Sequence, residues 1–168
     1  MKLLLSAAVF ALLLTPVSES QRTGEPARQA ADYASVAGLP PLSSNPAQPS
    51  VRVWRRIALT DSITAWVVTR GSISVYSGSD SRKLRLTSSI TTHRAQKVLK
   101  AFQRLRAYDG QWIFCSRVKD GWGLVIEGAD ASGHFAFTSS TPNLCAEYET
   151  KRIHRAYELL TDIAGDGQ

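Results

Sequence analysis

The chain contains little cysteine: only Cys115 and Cys145 among 168 residues. A structural zinc centre takes four Cys or His ligands at characteristic spacing, and none of His93, His134 or His154 sits close in sequence to either cysteine. No metal site is therefore expected. Cofactor loops are missing too, since there is no Walker-type phosphate loop, no dinucleotide fingerprint and no His-Glu-x-x-His helix. Gly121-Trp122-Gly123 reads as part of a hairpin. The serine-nucleophile pattern Gly-x-Ser-x-Gly is absent, and Tyr76-Ser77-Gly78-Ser79-Asp80-Ser81 reads as a turn. Beyond the N-terminus no apolar run approaches the roughly 18 to 20 residues of a membrane span. Acidic residues are the scarcer charge, 14 against 20 Lys and Arg, for a formal net charge of +6. With 43% hydrophobic residues the chain is too apolar for wholesale disorder, and its length suits a single core.

What is present begins with an N-terminal pattern. Met1-Lys2 precedes an apolar stretch from Leu3 to Leu14, which Thr15-Pro16-Val17 breaks before Ser18-Glu19-Ser20 supplies small residues. These are the parts of a secretory signal peptide over residues 1–20, which points to a secreted or periplasmic protein. Cleavage after Ser20 would remove Lys2 and Glu19 together, so the net charge of +6 would persist. In an oxidising compartment Cys115 and Cys145 most simply form a disulfide. Closing that loop of about 30 residues would stabilise by roughly 3 to 4 kcal/mol in the chain-entropy account.

Residues 21–50 are rich in Ala, Pro, Ser and Gln, with prolines at 26, 40, 41, 46 and 49 and one aromatic residue, Tyr33. That composition reads as a flexible leader with too little apolar surface to offset its ordering entropy. Residues 51–168 read as one domain. Period-two alternation in Val51-Val53, Ile63-Ala65-Val67, Ile73-Val75 and Leu84-Leu86, separated by turn signals, predicts a four-strand antiparallel meander. Trp54, Trp66, Val68 and Tyr76 fall on the other parity, so the second face is expected to be partly covered. Ala95, Val98, Leu99, Phe102 and Leu105 then recur at helical spacing, with Ser89 or Thr92 as N-cap. Strands over Trp112–Val118, Trp122–Glu127 and His134–Thr138 follow. The final helix is expected to bury Tyr148, Ile153, Tyr157, Leu160 and Ile163. The expected fold is α+β: an antiparallel sheet in the order ββββ-α-βββ-α, with the helices packed on one face.

Two sets of residues carry chemistry. Glu127 and His134 flank a short turn, where cross-strand side chains meet within about 5 Å, and a Glu–His pair can act as general base and acid. Arg117 or Lys119 on the preceding strand could hold an anion beside them. Small secreted ribonucleases use such a trio, although their helices precede the sheet and no motif of theirs is found here. Trp122, beside a turn, is the Trp most expected to be exposed. Carboxylate pairs drawn from Asp109, Asp120, Glu127 and Asp130 fall mostly in predicted turns, where acids occur for local reasons.

The second set follows from the uneven distribution of charge. Residues 52–119 hold 14 basic and 3 acidic side chains, whereas residues 120–168 hold 3 basic and 8 acidic. Arg94, Lys97, Lys100 and Arg104 follow three- and four-residue spacing and form a ridge opposite the apolar stripe. Arg52, Arg55, Arg56, Arg82, Lys83 and Arg85 add charge on the meander. The sequence thus suggests a non-enzymatic exported binding domain that engages an acidic protein or an anionic envelope component. Chromosomal nucleic acid is not the expected partner outside the cytoplasm. Two alternatives are a small hydrolase centred on Glu127 and His134, and self-association between the basic and acidic stretches.

Overall fold

The computed structural model describes residues 19–42, 47–57, 60, 62–79, 84–114, 121–140, 142, 144 and 147–165. Residues 1–18 of the segment read as a signal peptide lie outside them, as do Cys115, Arg117, Lys119 and Cys145. The structure therefore lends no support to the expected disulfide. The elements in chain order are helix α1 (Glu19–Ala37), strands β1 (Ser50–Ile57), β2 (Ser62–Val68), β3 (Ser72–Ser79) and β4 (Arg85–Thr91), helix α2 (Ala95–Gln103), a 3-10 turn (Arg106–Tyr108), strands β5 (Trp112–Ile113), β6 (Trp122–Asp130) and β7 (Gly133–Ser140), and helix α3 (Tyr148–Gly165).

The seven strands form one sheet in the order β4-β3-β2-β1-β6-β7-β5. Every pairing is antiparallel except that of β5 with β7. The α+β class and the meander β1–β4 agree with the alternation in sequence. The element order does not, because a helix precedes the first strand. The helices also do not share a face. Val51, Val53, Trp66, Val68, Ile73, Leu124, Ile126, Phe135 and Phe137 project to one side and pack under α2 and α3. Trp54, Ile63, Ala65 and Val125 project to the other side and pack under α1.

Helix α1 occupies the segment read as a flexible leader. Its buried stripe is Ala30, Ala34 and Ala37, spaced by four and three residues, with Tyr33 beside it and packed on Trp54. Alanine has the best intrinsic helix propensity, and its small side chain allows a helix to lie close to its neighbour. Such a stripe buries a helix without long aliphatic side chains, and composition alone conceals it. The end of α1 is well defined. Gly38 adopts φ 65°, its N–H donates to the Ser35 carbonyl at 3.0 Å, and the Leu39 N–H donates to the Ala34 carbonyl at 2.9 Å. This is the paired hydrogen-bond pattern of a glycine C-cap.

On the other face, α2 buries Ala95, Val98, Leu99 and Phe102 as its spacing predicts. Neither expected N-cap holds: the cap position is Arg94, with no side-chain cap hydrogen bond, Ser89 lies within β4, and Thr92 closes the preceding turn by accepting from the Arg94 N–H at 3.2 Å. Helix α3 buries Ile153, Tyr157, Leu160 and Ile163. Tyr148, expected inside, is 69% exposed at its first turn, where Arg152 stands over its ring. The β6–β7 hairpin is tighter than expected: β6 continues to Asp130, and only Ala131 and Ser132 lie between the paired Asp130 and Gly133. The Ser132 N–H donates to Asp130 Oδ1 at 2.8 Å, a local side-chain bond that closes the turn. The Phe135 ring lies directly over Gly128, and a Cβ there would collide with it.

Candidate functional site

The basic ridge on α2 forms much as its spacing predicts. Lys97, Lys100 and Arg104 are exposed on the side of the helix away from Val98 and Phe102, and Arg94 is half-buried at the start. Among the described residues, no carboxylate forms an ion pair with Lys97, Lys100 or Arg104. The meander contributes less free charge than its composition suggests. Arg55 donates to the Tyr157 hydroxyl at 3.1 Å and lies over the Trp66 ring. Burial raises the Tyr157 pKa, and the Arg55 charge partly opposes that rise. Arg52 is turned into the opposite face, and Arg82 and Lys83 lie outside the described residues. Arg85 on β4 is exposed.

Arg52 belongs with the other candidate pair. In the register of β1 against β6 it stands opposite Glu127, and the two side chains are 4% and 5% exposed. Arg52 Nη1 approaches Glu127 Oε1 at 3.2 Å, and Nη2 donates to the Pro40 carbonyl just beyond α1. Burial lowers the Arg52 pKa from its ordinary value, opposed by the Glu127 charge and hydrogen bond. The second Glu127 oxygen lies 3.5 Å from His134 Nε2. His134 pairs across the strands with Ala129, so it meets Glu127 diagonally rather than directly opposite. The structure thus brings Glu127 and His134 together, with Arg52 as a third member.

Chemically, this trio is one-sided. Glu127 is buried and paired through Oε1 with Arg52, while the His134 side chain is 43% exposed. Only the imidazole can meet a solute. Trp122 does not join it. It lies half-buried on the α3 side, its ring 5.0 Å from that of Tyr157, whereas Glu127 and His134 face the α1 side. Nor do the four tryptophans make a platform. Trp54 and Trp66 are buried on opposite faces, and Trp112 stacks on Phe114 at the β5 edge.

Sequence reasoning missed Arg52 as the partner of Glu127. The available signal was a charged residue flanked by Val51 and Val53 on a strand covered on both sides, which calls for an opposite charge nearby. It also missed the pairing of Arg106 with Asp130. Arg106 Nη2 lies 2.6 Å from Asp130 Oδ1 and 3.0 Å from the Gly133 carbonyl, and its guanidinium covers the Phe135 ring. Gln103 Nε2 donates to Asp130 Oδ2 at 3.1 Å. Partial burial would raise the Asp130 carboxyl, but the Ser132 N–H, then Arg106 and Gln103, together hold it below the usual carboxylate range.

Among the described residues, no group of His, Cys, Asp and Glu could hold a metal ion, and no helix is long and apolar enough to cross a membrane. No protein-family model matches the chain, and no curated protein is similar to it.

Proposed function

We propose that the chain is an exported, non-enzymatic binding domain that engages an acidic protein or an anionic envelope component through the basic face of α2. One observation carries this reading. Among the described residues, Lys97, Lys100 and Arg104 are exposed together on α2 without acidic partners, while Glu127 and Asp130 are each paired with an arginine within the fold. Cations spaced along one helix face present a surface for a polyanion, and the resulting attraction weakens with salt. The test is titration of the purified chain with polyglutamate and with lipopolysaccharide at low and high salt. Binding should fall steeply with salt and be lost when Lys97, Lys100 and Arg104 are all changed to Glu. Salt-insensitive binding, or binding unchanged in the triple variant, overturns the reading. Light scattering alongside separates self-association, which a monomer at both salt concentrations removes.

The contact between Glu127 and His134 favours a second reading, a small secreted phosphodiesterase with His134 as the accessible acid–base group. Assays on RNA and simple phosphodiesters, comparing wild type with His134→Ala, decide it. Turnover by the wild type that is lost in His134→Ala supports the reading, and absence of turnover in both ends it.

A further inference from the structure

A cleft of about 520 Å³ opens where three separate parts of the chain meet: one face of α2, the β2–β3 turn and the β6–β7 hairpin. Gln96, Lys100 and Gln103 line it from α2, Arg70 from the β2–β3 turn, and Arg106 with Asp130 from beneath the hairpin. The α2 residues recur at three- and four-residue spacing and so share one helix face. The volume is that of a site for a small solute.

The charges in the cleft divide into a neutral floor and cationic walls. Arg106 and Asp130 satisfy one another, and Arg106 also donates to the Gly133 carbonyl, so this pair holds the hairpin. Arg70 and Lys100 are both exposed and, among the described residues, neither has an acidic partner. Asp130 is the cleft's single carboxylate, and Arg106 and Gln103 already occupy its oxygens. Two open cations from separate elements lining one cleft match one compact anion of up to two charges. Gln96 and the outward parts of Gln103 and Ser132 offer donors and acceptors suited to hydroxyl groups.

We propose that this cleft binds the phosphate of a phosphorylated sugar, with Arg70 and Lys100 clasping the phosphate and Gln96 and Gln103 contacting the sugar hydroxyls. The inference rests on the proposed polyanion surface and deepens it, since Lys100 belongs to both the ridge and the cleft. The sugar phosphate could be a free metabolite or a repeating unit of an envelope polymer; the chemistry recognised is the same.

The test uses the full chain and backbone-amide NMR titrations with glucose 6-phosphate, inorganic phosphate and glucose. Glucose 6-phosphate should shift the amides of Gln96, Lys100 and Ser132, more tightly than phosphate, while glucose alone shifts none. Changing Arg70 and Lys100 together to Glu should weaken glucose 6-phosphate binding by about tenfold or more, because two charge-assisted hydrogen bonds are removed. Changing Lys97 and Arg104 to Glu should leave the sugar phosphate unaffected while weakening lipopolysaccharide. Equal shifts with glucose, or no loss in the Arg70 and Lys100 variant, overturn this inference. If lipopolysaccharide still responds to Lys97 and Arg104 in that event, the polyanion surface stands without the cleft. Competition between lipopolysaccharide and glucose 6-phosphate identifies the polymer as a source, and independent binding of the two assigns the cleft to the free sugar phosphate.

Discussion

The two faces of the sheet are covered by different means. Under α2 and α3 the layer is thick and built from large side chains, with Trp66, Phe102, Phe135, Phe137 and Leu160 all buried. Under α1 it is thin, with three alanines from the helix meeting Trp54, Ala65 and Val125. The thick face admits charge at its margin, where Arg55 reaches Tyr157 and Trp66, whereas the thin face holds the buried Arg52–Glu127 pair. Burial of large apolar groups stabilises one face, and close approach of a helix with matched polar partners completes the other. The difference teaches that a sheet can be closed on its second side with little hydrophobic mass when the opposite charges buried there are set against one another.

Breaking the thick face should cost most. Phe102 is fully buried, and Phe102→Ala should destabilise by about 3 to 5 kcal/mol through lost transfer energy and a residual cavity, read as the shift in urea midpoint. Breaking the pair on the thin face should come next. Glu127→Ala leaves Arg52 buried and uncompensated, a loss of about 3 kcal/mol, near the lower end for such pairs because the Pro40 carbonyl still accepts from Arg52. Replacing both partners by Met and Leu should restore most of that loss in the same assay. If the double replacement is as unstable as Glu127→Ala, the pair contributes more than mutual compensation.

The thinness itself can be tested with Ala34→Leu, which overfills the α1 contact and should destabilise by about 2 kcal/mol. Limited proteolysis should then cut within α1 before it cuts β1. The smallest effect concerns Asp130. Its carboxyl is held below the ordinary value of about 4, so the folded chain binds fewer protons there than the unfolded chain. The resulting stability is present above that ordinary value and is lost as pH falls through the depressed one. Asp130→Asn should therefore lower stability at neutral pH while converging on the wild type in acid. A constant difference at every pH would assign the effect to shape rather than charge.

Much of the thick face was legible in the sequence. Strong alternation marked the meander, and Ala95 to Phe102 kept helical spacing without interruption. The thin face was mostly not legible. Pro26 and a composition of Ala, Ser and Gln resemble a linker, and an alanine stripe gives almost no hydrophobic signal. Gly38 followed by Leu39-Pro40-Pro41 was the readable stop signal for a helix in that segment. The ridge residues Lys97, Lys100 and Arg104 were found because helical spacing alone places them. The convergence of Arg70, Arg106 and Asp130 on one cleft was not found, because three distant turns come together only through the strand order. Glu127 and His134 were expected directly opposite across a longer turn; both strands extend further, so they meet diagonally on one face instead.

The strand order also bears on how the chain reaches this structure. β1 lies at the centre, between its sequence neighbour β2 and the distant β6, and Arg52 and Glu127 are 75 residues apart. The meander and α2 can organise through short-range contacts, but β6 must find β1 across a long loop whose closure entropy comes due before the pairing stabilises it. Folding of β6 and β7 onto β1 is thus the expected slow step. Until it occurs, the open hydrogen-bonding edge of β1 is the part of the molecule most exposed to pairing with a second chain.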